Sequence, residues 1–210
     1  PAVVDLTADV VARLAGRNGV FDRYRVGARL GQGGMGSVLR VWDADLRRDL
    51  AMKVMLAGSA GEAVPQNLLA RFLEEAQVTG QLDHPGIPPI HELGLDPEGH
   101  VYFTMKLVRG ETLRQVFEHV RAGEGGWSLH RALGLLVKVC DAMAYAHHKH
   151  VVHRDLKPDN VMVGRFGAVY VMDWGLARVL GRDLPDDAPQ DAGVSTISLV
   201  DTDRHEAGRA

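Results

Sequence analysis

The chain has 210 residues, of which 46% are hydrophobic and 24% are charged, and its formal net charge is −3. This length and composition suit one large or two small globular domains, and the charge gives no electrostatic reason to expect nucleic acid as a partner. Cys140 is the single cysteine, so the sequence excludes an internal disulfide, and we expect a core thiol in a protein of the reducing cytoplasm. The start at Pro1 lacks a signal-peptide pattern, no run of apolar residues is long enough to span a membrane, and we expect the chain to be a fragment.

The first half of the chain is predicted to contain one short helix and then mostly strands. Residues 5–16 fit an amphipathic helix with Thr7 as its N-cap, Gly16 as its end and an apolar stripe of Val10, Val11 and Leu14. Three strands follow in "YRVGARLG", "GSVLRVWDA" and "RDLAMKVML". The segment "NLLARFLEEAQVTGQL" has helical periodicity, and two further strands flank the turn "LDPEGH".

The second half is predicted to be led by helices, with a hinge near Leu107 to Gly110. Ser128 can cap a long helix from Leu129 to about His148. Its predicted apolar stripe is Leu129, Ala132, Leu133, Leu136, Cys140, Met143, Ala144 and His147. Two short strands follow around "NVMV" and "AVYVMD", and the polar, acidic residues 181–210 are typical of a mobile loop.

Three glycines, Gly31, Gly33 and Gly36, have the spacing G-x-G-x-x-G-x-V in "LGQGGMGSV". Glycine lets the backbone approach phosphates closely and turn its N–H groups toward them. A dinucleotide-binding loop leads into a helix, whereas this loop leads into a strand, and the Gly-Lys-Ser/Thr of a Walker A loop is missing. We therefore expect the loop to lie over a nucleotide, and a glycine-rich hairpin turn without function is the alternative.

Lys53 is predicted to point into the protein. The alternation of a strand places its side chain on the face opposite to Met52 and Val54. An inward lysine needs an anion, and the candidates are phosphate oxygens or Glu75 of the following helix, with Glu74 as second choice.

The segment "HRDLKPDN" concentrates polar side chains between apolar valines. If this segment is a phosphoryl-transfer site, Asp155 accepts the proton of the attacking hydroxyl or orients that hydroxyl. Lys157 then neutralises the charge of the transferred phosphate. Asn160 would bind a magnesium ion together with Asp173, a carboxylate that leaves an apolar run for a glycine turn in "VMDWGLAR".

In this order the motifs resemble those of the eukaryotic-type serine/threonine protein kinases that also occur in bacteria, over about residues 24 to 180. The resemblance implies a two-lobed α+β fold, with an antiparallel sheet and one helix in the N-lobe and a mainly helical, incomplete C-lobe. The implied domains are an N-terminal extension, an N-lobe, the start of a C-lobe and a partial activation segment, over 1–23, 24–107, 108–180 and 181–210. Because the chain stops inside that segment, we expect it to lack the peptide-docking platform and to be weakly stable and poorly active, with part of the long helix's apolar stripe exposed.

The resemblance also implies chemistry and partners. ATP and Mg²⁺ would be bound, and Lys157 two places after Asp155 indicates serine or threonine hydroxyls of proteins as acceptors in signalling. The implied catalytic residues are Lys53, Glu75, Asp155 and Lys157. The implied metal-binding residues are Asn160 and Asp173. The residues implied to hold ATP are Leu30, Gly31, Gly33, Gly34, Gly36, Val38, Ala51, Lys53, Met105, Lys106, Val108 and Met162. A cytoplasmic location is implied, and a longer chain could carry a membrane anchor or form a homodimer.

Several residues depart from the family pattern or allow a second interpretation. Trp174 stands where phenylalanine is usual and can still pack beneath the glutamate helix. His147, His148, His150 and His153 are close in sequence, but no acid or cysteine completes a tetrahedral metal site, so we expect a helix end and, at His153, a packed scaffold residue. Arg154 is expected to pair with a phosphate, for example on Ser195, Thr196, Ser198 or Thr202.

Two other functions remain open at this point. One is a nucleotide-binding pseudokinase or scaffold, against which the filled catalytic positions count. The other is a small-molecule kinase of related fold, which also uses a His-x-Asp loop and a metal-binding aspartate. The Lys157 of "HRDLKPDN" favours protein substrates over small molecules.

Overall fold

The computed structural model of the chain describes residues 6–17, 19–33, 36–55 and 65–180. The described residues form two compact units. Of the described residues, the first unit contains those up to Gly80 together with Pro89–Leu107, and the second contains Gln81–Pro88 and residues 108–180.

The first unit is built on a five-stranded antiparallel sheet in the order β1-β2-β3-β5-β4. Its strands are β1 (Tyr24–Gly33), β2 (Gly36–Asp43), β3 (Arg48–Val54), β4 (Ile90–Leu95) and β5 (Val101–Lys106). Every strand that the alternating apolar pattern predicts in this half is present. Two helices, α1 (Leu6–Ala15) and α2 (Gln66–Gln81), accompany the sheet.

Each face of this sheet carries its own apolar cluster, because successive residues of a strand point to opposite faces. The helix-side cluster contains residues of α2 and one face of β5: Met55, Phe72, Leu73, Ala76, Val101 and Phe103. The outer cluster lies on the other face: Tyr24, Val41, Leu50, Met52 and Tyr102.

Helix α1 confirms the predicted stripe but not the predicted cap. Leu14 is buried, and Val10 and Val11 pack against the helix-side cluster. Thr7 was expected to be the N-cap, yet it lies inside the helix, which begins at Leu6, and its side chain is buried. The prediction is wrong because the spacing of Thr7 to Val10, Val11 and Leu14 places it on the same buried face.

The second unit contains two helices and short strands. The helices are α3 (Leu113–Ala122) and α4 (Leu129–His148), and the strands are β6 (Gly110–Thr112), β7 (Val151–Val152), β8 (Val161–Gly164), β9 (Val169–Val171) and β10 (Arg178–Val179). Strands β6, β8 and β9 form one sheet, and β7 pairs with β10. Both helices begin at a capping side chain: Thr112 Oγ1 accepts from Gln115 N, and Ser128 Oγ accepts from Arg131 N at 3.3 Å, as predicted for α4.

The buried face of α4 differs from the predicted stripe. Its buried residues are Ala132, Leu135, Val139, Ala142, Met143 and Ala146. Cys140, expected in the core, is exposed, and Leu129 and Leu133 are 66% and 51% exposed. The helix is apolar on more than one side, so periodicity did not decide which side packs. Ala132, Ala142 and Ala146 lie inward, where they permit close approach to β7 and β9, whereas Ala144 of the predicted stripe is exposed. The expected exposure of apolar side chains is confirmed.

Candidate active site

The glycine-rich segment forms the end of the β1–β2 hairpin, where Gly31 pairs with Val38 and Gly33 pairs with Gly36. Gly36 has a packing reason to be glycine, since a Cβ atom there would lie 2.3 Å from the carbonyl oxygen of Val54. At Gly31 and Gly33 a Cβ atom would meet no protein atom within 4 Å. These two glycines therefore leave open space beside the backbone, which suits the approach of a phosphate chain. Gly34 lies outside the described residues.

Lys53 forms a buried ion pair with Glu75. Its Nζ donates to both Oε1 and Oε2 of Glu75 at 2.6 Å, and the two side chains are 12% and 6% exposed. The strand alternation and the helix periodicity together predict this pair, with Glu75 as the partner that they favour over Glu74. A lysine fixed by both carboxylate oxygens has a set position, which a phosphate-binding lysine requires.

The strand register brings four of the predicted nucleotide-site residues to one face of the first unit's sheet. Val38 lies opposite Lys53, and Ala51 lies opposite Met105. Alternation along β3 puts Ala51 and Lys53 on the same face, which is also the side of the helix-side cluster. Leu30 is half exposed at the end of β1.

The remaining predicted adenine-site residues are divided between the two units. Lys106 ends β5 and is exposed. Val108 belongs to the second unit and is half-buried. Met162 belongs to that unit too, where β8 pairs it with Thr112 and Tyr170.

The polar loop of the second unit is organised around Asp155. Lys157 Nζ donates to Asp155 Oδ2 at 2.7 Å, and Asn160 Nδ2 donates to both the carbonyl oxygen and Oδ2 of Asp155 at 2.9 Å. These bonds, first that from Lys157 and then that from Asn160, hold the pKa of Asp155 below its usual range. The pKa of Lys157 is raised, chiefly by its bond to Asp155, with smaller contributions from the charges of Asp173 and Asp159.

His153 is a buried scaffold residue beneath this loop. Asp155 N donates to His153 Nδ1 at 3.2 Å, so Nε2 carries the ring proton and donates to the carbonyl oxygen of Met172 at 2.9 Å. The imidazole packs against the indole of Trp174, with ring centroids 4.6 Å apart, and Trp174 Nε1 donates to Val171 O at 3.1 Å. Trp174 is thus buried within the second unit, and His153 connects the segments that carry Asp155 and Asp173.

Asn160 and Asp173 offer the oxygen atoms that a divalent cation requires. Both hydrogen bonds of the Asn160 side chain come from its nitrogen, which directs Oδ1 away from Asp155. Met172 N donates to the carbonyl oxygen of Asn160 at 2.7 Å, which ties the residue before Asp173 to Asn160. The carboxylate of Asp173 is exposed, and its backbone is left-handed with φ 58°. An amide oxygen and a carboxylate fit a hard cation such as Mg²⁺.

Three features of the described residues differ from the predictions or were missed by them. Arg154, expected to meet a phosphate, donates from Nε to the carbonyl oxygen of Leu176 at 2.6 Å. Arg114 of α3 donates twice to Asp159 at 2.5 Å, a pair separated by 45 residues for which the sequence holds no signal. Within the described ranges the grouped histidines form no metal-binding cluster, whereas Asp96, Glu98 and His100 lie within ligand distance of one another. Ser195, Thr196, Ser198 and Thr202 fall outside the described residues.

Comparison with known proteins identifies the family. The model of the protein kinase domain matches residues 24–196. The chain belongs to the protein kinase domain family. Among curated kinases it is 37% identical to the serine/threonine-protein kinase PknD of Protochlamydia amoebophila, over 76% of this chain and 17% of that protein. It is 36% identical to the serine/threonine-protein kinase PknB of Mycolicibacterium smegmatis, over 82% of this chain and 27% of that protein.

The family match covers most of this chain, but this chain covers only part of its relatives. The chain spans about a sixth to a quarter of the length of these relatives. The match begins at Tyr24, so α1 precedes it. None of the helices in the described part of the chain is long and apolar enough to cross a membrane. A protein kinase domain takes ATP as substrate, typically with a divalent metal, and the donor atoms described in each unit suit these ligands.

Proposed function

We propose that this chain is the ATP-binding and catalytic part of a serine/threonine protein kinase that transfers the γ-phosphate of ATP to protein hydroxyls. The observation that carries the proposal is the hydrogen-bonded group of Asp155, Lys157 and Asn160. A module that only binds nucleotide has no use for a carboxylate held in this way. The relatives named above are serine/threonine-protein kinases, which supports the same acceptor class.

The first unit would hold the nucleotide. The open space at Gly31 and Gly33 allows backbone N–H groups to face phosphate oxygens, and Lys53, fixed by Glu75, would place one positive charge on them. Val38 and Ala51 would contact the base from the face of the sheet that also carries Lys53. Positioning of this kind supplies most of the catalysis in phosphoryl transfer.

The second unit would supply the acceptor side of the reaction. Because the pKa of Asp155 is lowered by Lys157 and Asn160, this carboxylate stays ionised at neutral pH and is a weak base. Its main contribution is therefore to accept a hydrogen bond from the attacking hydroxyl and orient it. Lys157 donates to Asp155 and carries the positive charge that would meet the transferred phosphoryl group.

Asn160 and Asp173 would hold Mg²⁺ through Oδ1 of the amide and the carboxylate. When bound, this ion neutralises charge on the phosphate oxygens. Asn160 has a second function that needs no metal, since its Nδ2 fixes Asp155. Replacement of Asn160 should therefore impair both metal binding and the orientation of Asp155.

The proposal extends to domains, location and assembly. Residues 24–107 would form the N-lobe and 108–180 the start of the C-lobe, with 1–23 as an extension and 181–210 as part of the activation segment. The reaction would take place in the cytoplasm, where ATP is abundant. Formation of a homodimer is proposed only for a longer chain that contains this one.

Calorimetric titration with ATP and Mg²⁺ tests the proposal directly. Lys53→Ala should weaken ATP binding, because the phosphates lose their fixed positive charge, whereas Lys138→Ala on the exposed face of α4 should not. Asp155→Asn should leave ATP binding intact and abolish phosphorylation of a generic basic protein, measured with a chain extended to the length of its relatives.

The outcomes separate the proposed kinase from its two rivals. ATP binding without transfer to any acceptor, in a folded and extended chain, would favour a nucleotide-binding scaffold. Transfer to an aminoglycoside or a simple alcohol but not to protein would favour a small-molecule kinase. Loss of ATP binding in Lys138→Ala as well as Lys53→Ala would show that the effect of Lys53 is not specific.

A further inference from the structure

A cavity of about 410 Å³, which we call the α1 cavity, lies in the first unit beside the helix that precedes the family match. Its walls come from α1, the segment after α1, the second half of α2 and strand β4. The lining residues that precede Tyr24, where the match begins, are Val10, Arg13, Leu14, Arg17 and Arg23. More than half of the lining residues are therefore particular to this chain.

The α1 cavity is separate from the proposed ATP site. None of the described residues that are proposed to hold ATP or to act on it lines the cavity. Its volume lies within the range of pockets that hold small organic molecules, whereas well-packed interiors leave few voids larger than a water molecule. The size of the cavity thus suits a ligand that is larger than a bare inorganic ion.

The polar side chains that line the α1 cavity are mostly hydrogen-bond donors. The guanidinium groups only donate, and the amide of Gln77 and the ring of His91 can donate as well. Among the described lining residues only Glu92 has a carboxylate, and its Oε2 already accepts from Arg23 and from the hydroxyl of Tyr24. This surplus of donors favours an occupant that accepts hydrogen bonds, above all an anion.

Arg13 and Arg17 supply the positive charge that an anion would meet. Arg13 pairs with Asp9 at 3.4 Å, but both side chains are more than half exposed, and such a surface pair contributes little. Arg17 has no ion pair or side-chain hydrogen bond within the described part of the chain. The dipole of α1 favours cations at this end of the helix. It does not explain why two like charges four residues apart, which repel each other, both line the cavity.

An apolar surface completes the walls of the α1 cavity. Leu14 is 5% exposed, and Val10 and Leu93 are partly buried against the helix-side cluster. A ligand that fills the cavity therefore needs an apolar part next to its charged group.

We propose that the α1 cavity binds a small organic anion, with its carboxylate or phosphate group on Arg13 and Arg17 and its apolar part against Leu14 and Leu93. Carboxylates and phosphates share the geometry that matches the fork of a guanidinium group. Gln77 and His91 would donate to the same ligand from α2 and β4. Binding at this site does not require kinase activity, so the two proposals can fail independently.

The test titrates the 210-residue chain with four probes and follows its backbone amides by NMR. The probes are phenyl phosphate, benzoate, inorganic phosphate and the neutral benzyl alcohol. Phenyl phosphate or benzoate should shift the amides of Arg17 and Leu93 in a saturable way, and the other two probes should bind at least several-fold more weakly. Tighter binding of phenyl phosphate assigns a phosphate group to the ligand, and tighter binding of benzoate assigns a carboxylate.

Three variants test the residues that would recognise the anion. Arg17→Gln should weaken the tighter probe by about ten-fold or more, because a hydrogen bond between charged groups is lost. Gln77→Glu keeps the volume of the side chain and should also weaken binding, because it adds a negative charge to the wall. Arg25→Gln, at an exposed position of β1 outside the cavity, makes the same change of charge as Arg17→Gln and should keep the wild-type Kd. Melting temperatures show whether each variant is folded.

Several outcomes would overturn the proposal. One is the absence of saturable shifts at Arg17 and Leu93, and another is shifts centred on Lys53, which would place the probe in the proposed ATP site. Equal binding of benzyl alcohol would show that charge is not recognised, and equal binding of inorganic phosphate would show that the apolar wall contributes nothing. Equal weakening by Arg17→Gln and Arg25→Gln would reduce the effect to the overall charge of the chain.

Discussion

The ion pair of Lys53 and Glu75 gives the most direct quantitative prediction. Lys53→Met and Glu75→Gln each remove one charge and leave its partner in a site where the side chains are only 12% and 6% exposed. Removing one member of a buried pair typically costs 3–5 kcal/mol, because the remaining charge is desolvated and has lost its counter-ion. Since Lys53 keeps some contact with solvent, we expect about 3 kcal/mol for each single variant, at the lower end of that range.

The double variant decides whether these costs come from the pair. It contains no unpaired charge, so it should be destabilised by less than either single variant and not by the sum of about 6 kcal/mol. The free energy of unfolding of all four proteins is measured by urea denaturation without nucleotide. Costs that add to within about 0.5 kcal/mol would show that Lys53 and Glu75 do not interact in solution and would refute the reasoning.

Three further predictions concern single residues. Gly36→Ala should destabilise the chain by about 1–3 kcal/mol, because the new Cβ meets Val54 O, whereas Gly33→Ala should keep the wild-type melting temperature and weaken ATP binding. Equal melting temperatures for the two variants would contradict this prediction. Lys157→Met should raise the pKa of Asp155 toward its ordinary value, since the hydrogen bond from Lys157 is the largest cause of the lowered pKa. An unchanged titration of the Asp155 carboxyl group, followed by NMR, would contradict this prediction. Cys140 should react with a maleimide in the folded chain as fast as a model thiol, and slow labelling would indicate a buried thiol.

The sequence predicts contacts well where both partners follow a local period. Lys53 and Glu75 are 22 residues apart, but strand alternation fixes the side of one and helix periodicity narrows the choice for the other. The cap of α4 is equally local, because Ser128 bonds within the first turn of its own helix. In such cases a few neighbouring residues contain the information that determines the geometry.

Prediction fails where a helix has more than one apolar side. In α4, both Cys140 and Val139 could belong to a core on periodicity alone, and the structure buries Val139 and exposes Cys140. The choice depends on which surface β7 and β9 present to the helix, and no local pattern in α4 contains that information. The pair of Arg114 and Asp159 is unpredictable for the same reason, since α3 and the polar loop meet only in the folded unit.

The geometry at Asp173 also depends on the folded environment. Arg154 and Asp173 both have left-handed backbones, with φ of 64° and 58°, which is unfavourable for residues with a side chain. Neither conformation follows from local preference, so the surroundings must hold them: Arg154 by its bond to Leu176 O, and the segment before Asp173 by the bond of His153 to Met172 O. The motif therefore specifies which groups are present, while the burial of His153 and its neighbours specifies where the carboxylate of Asp173 lies.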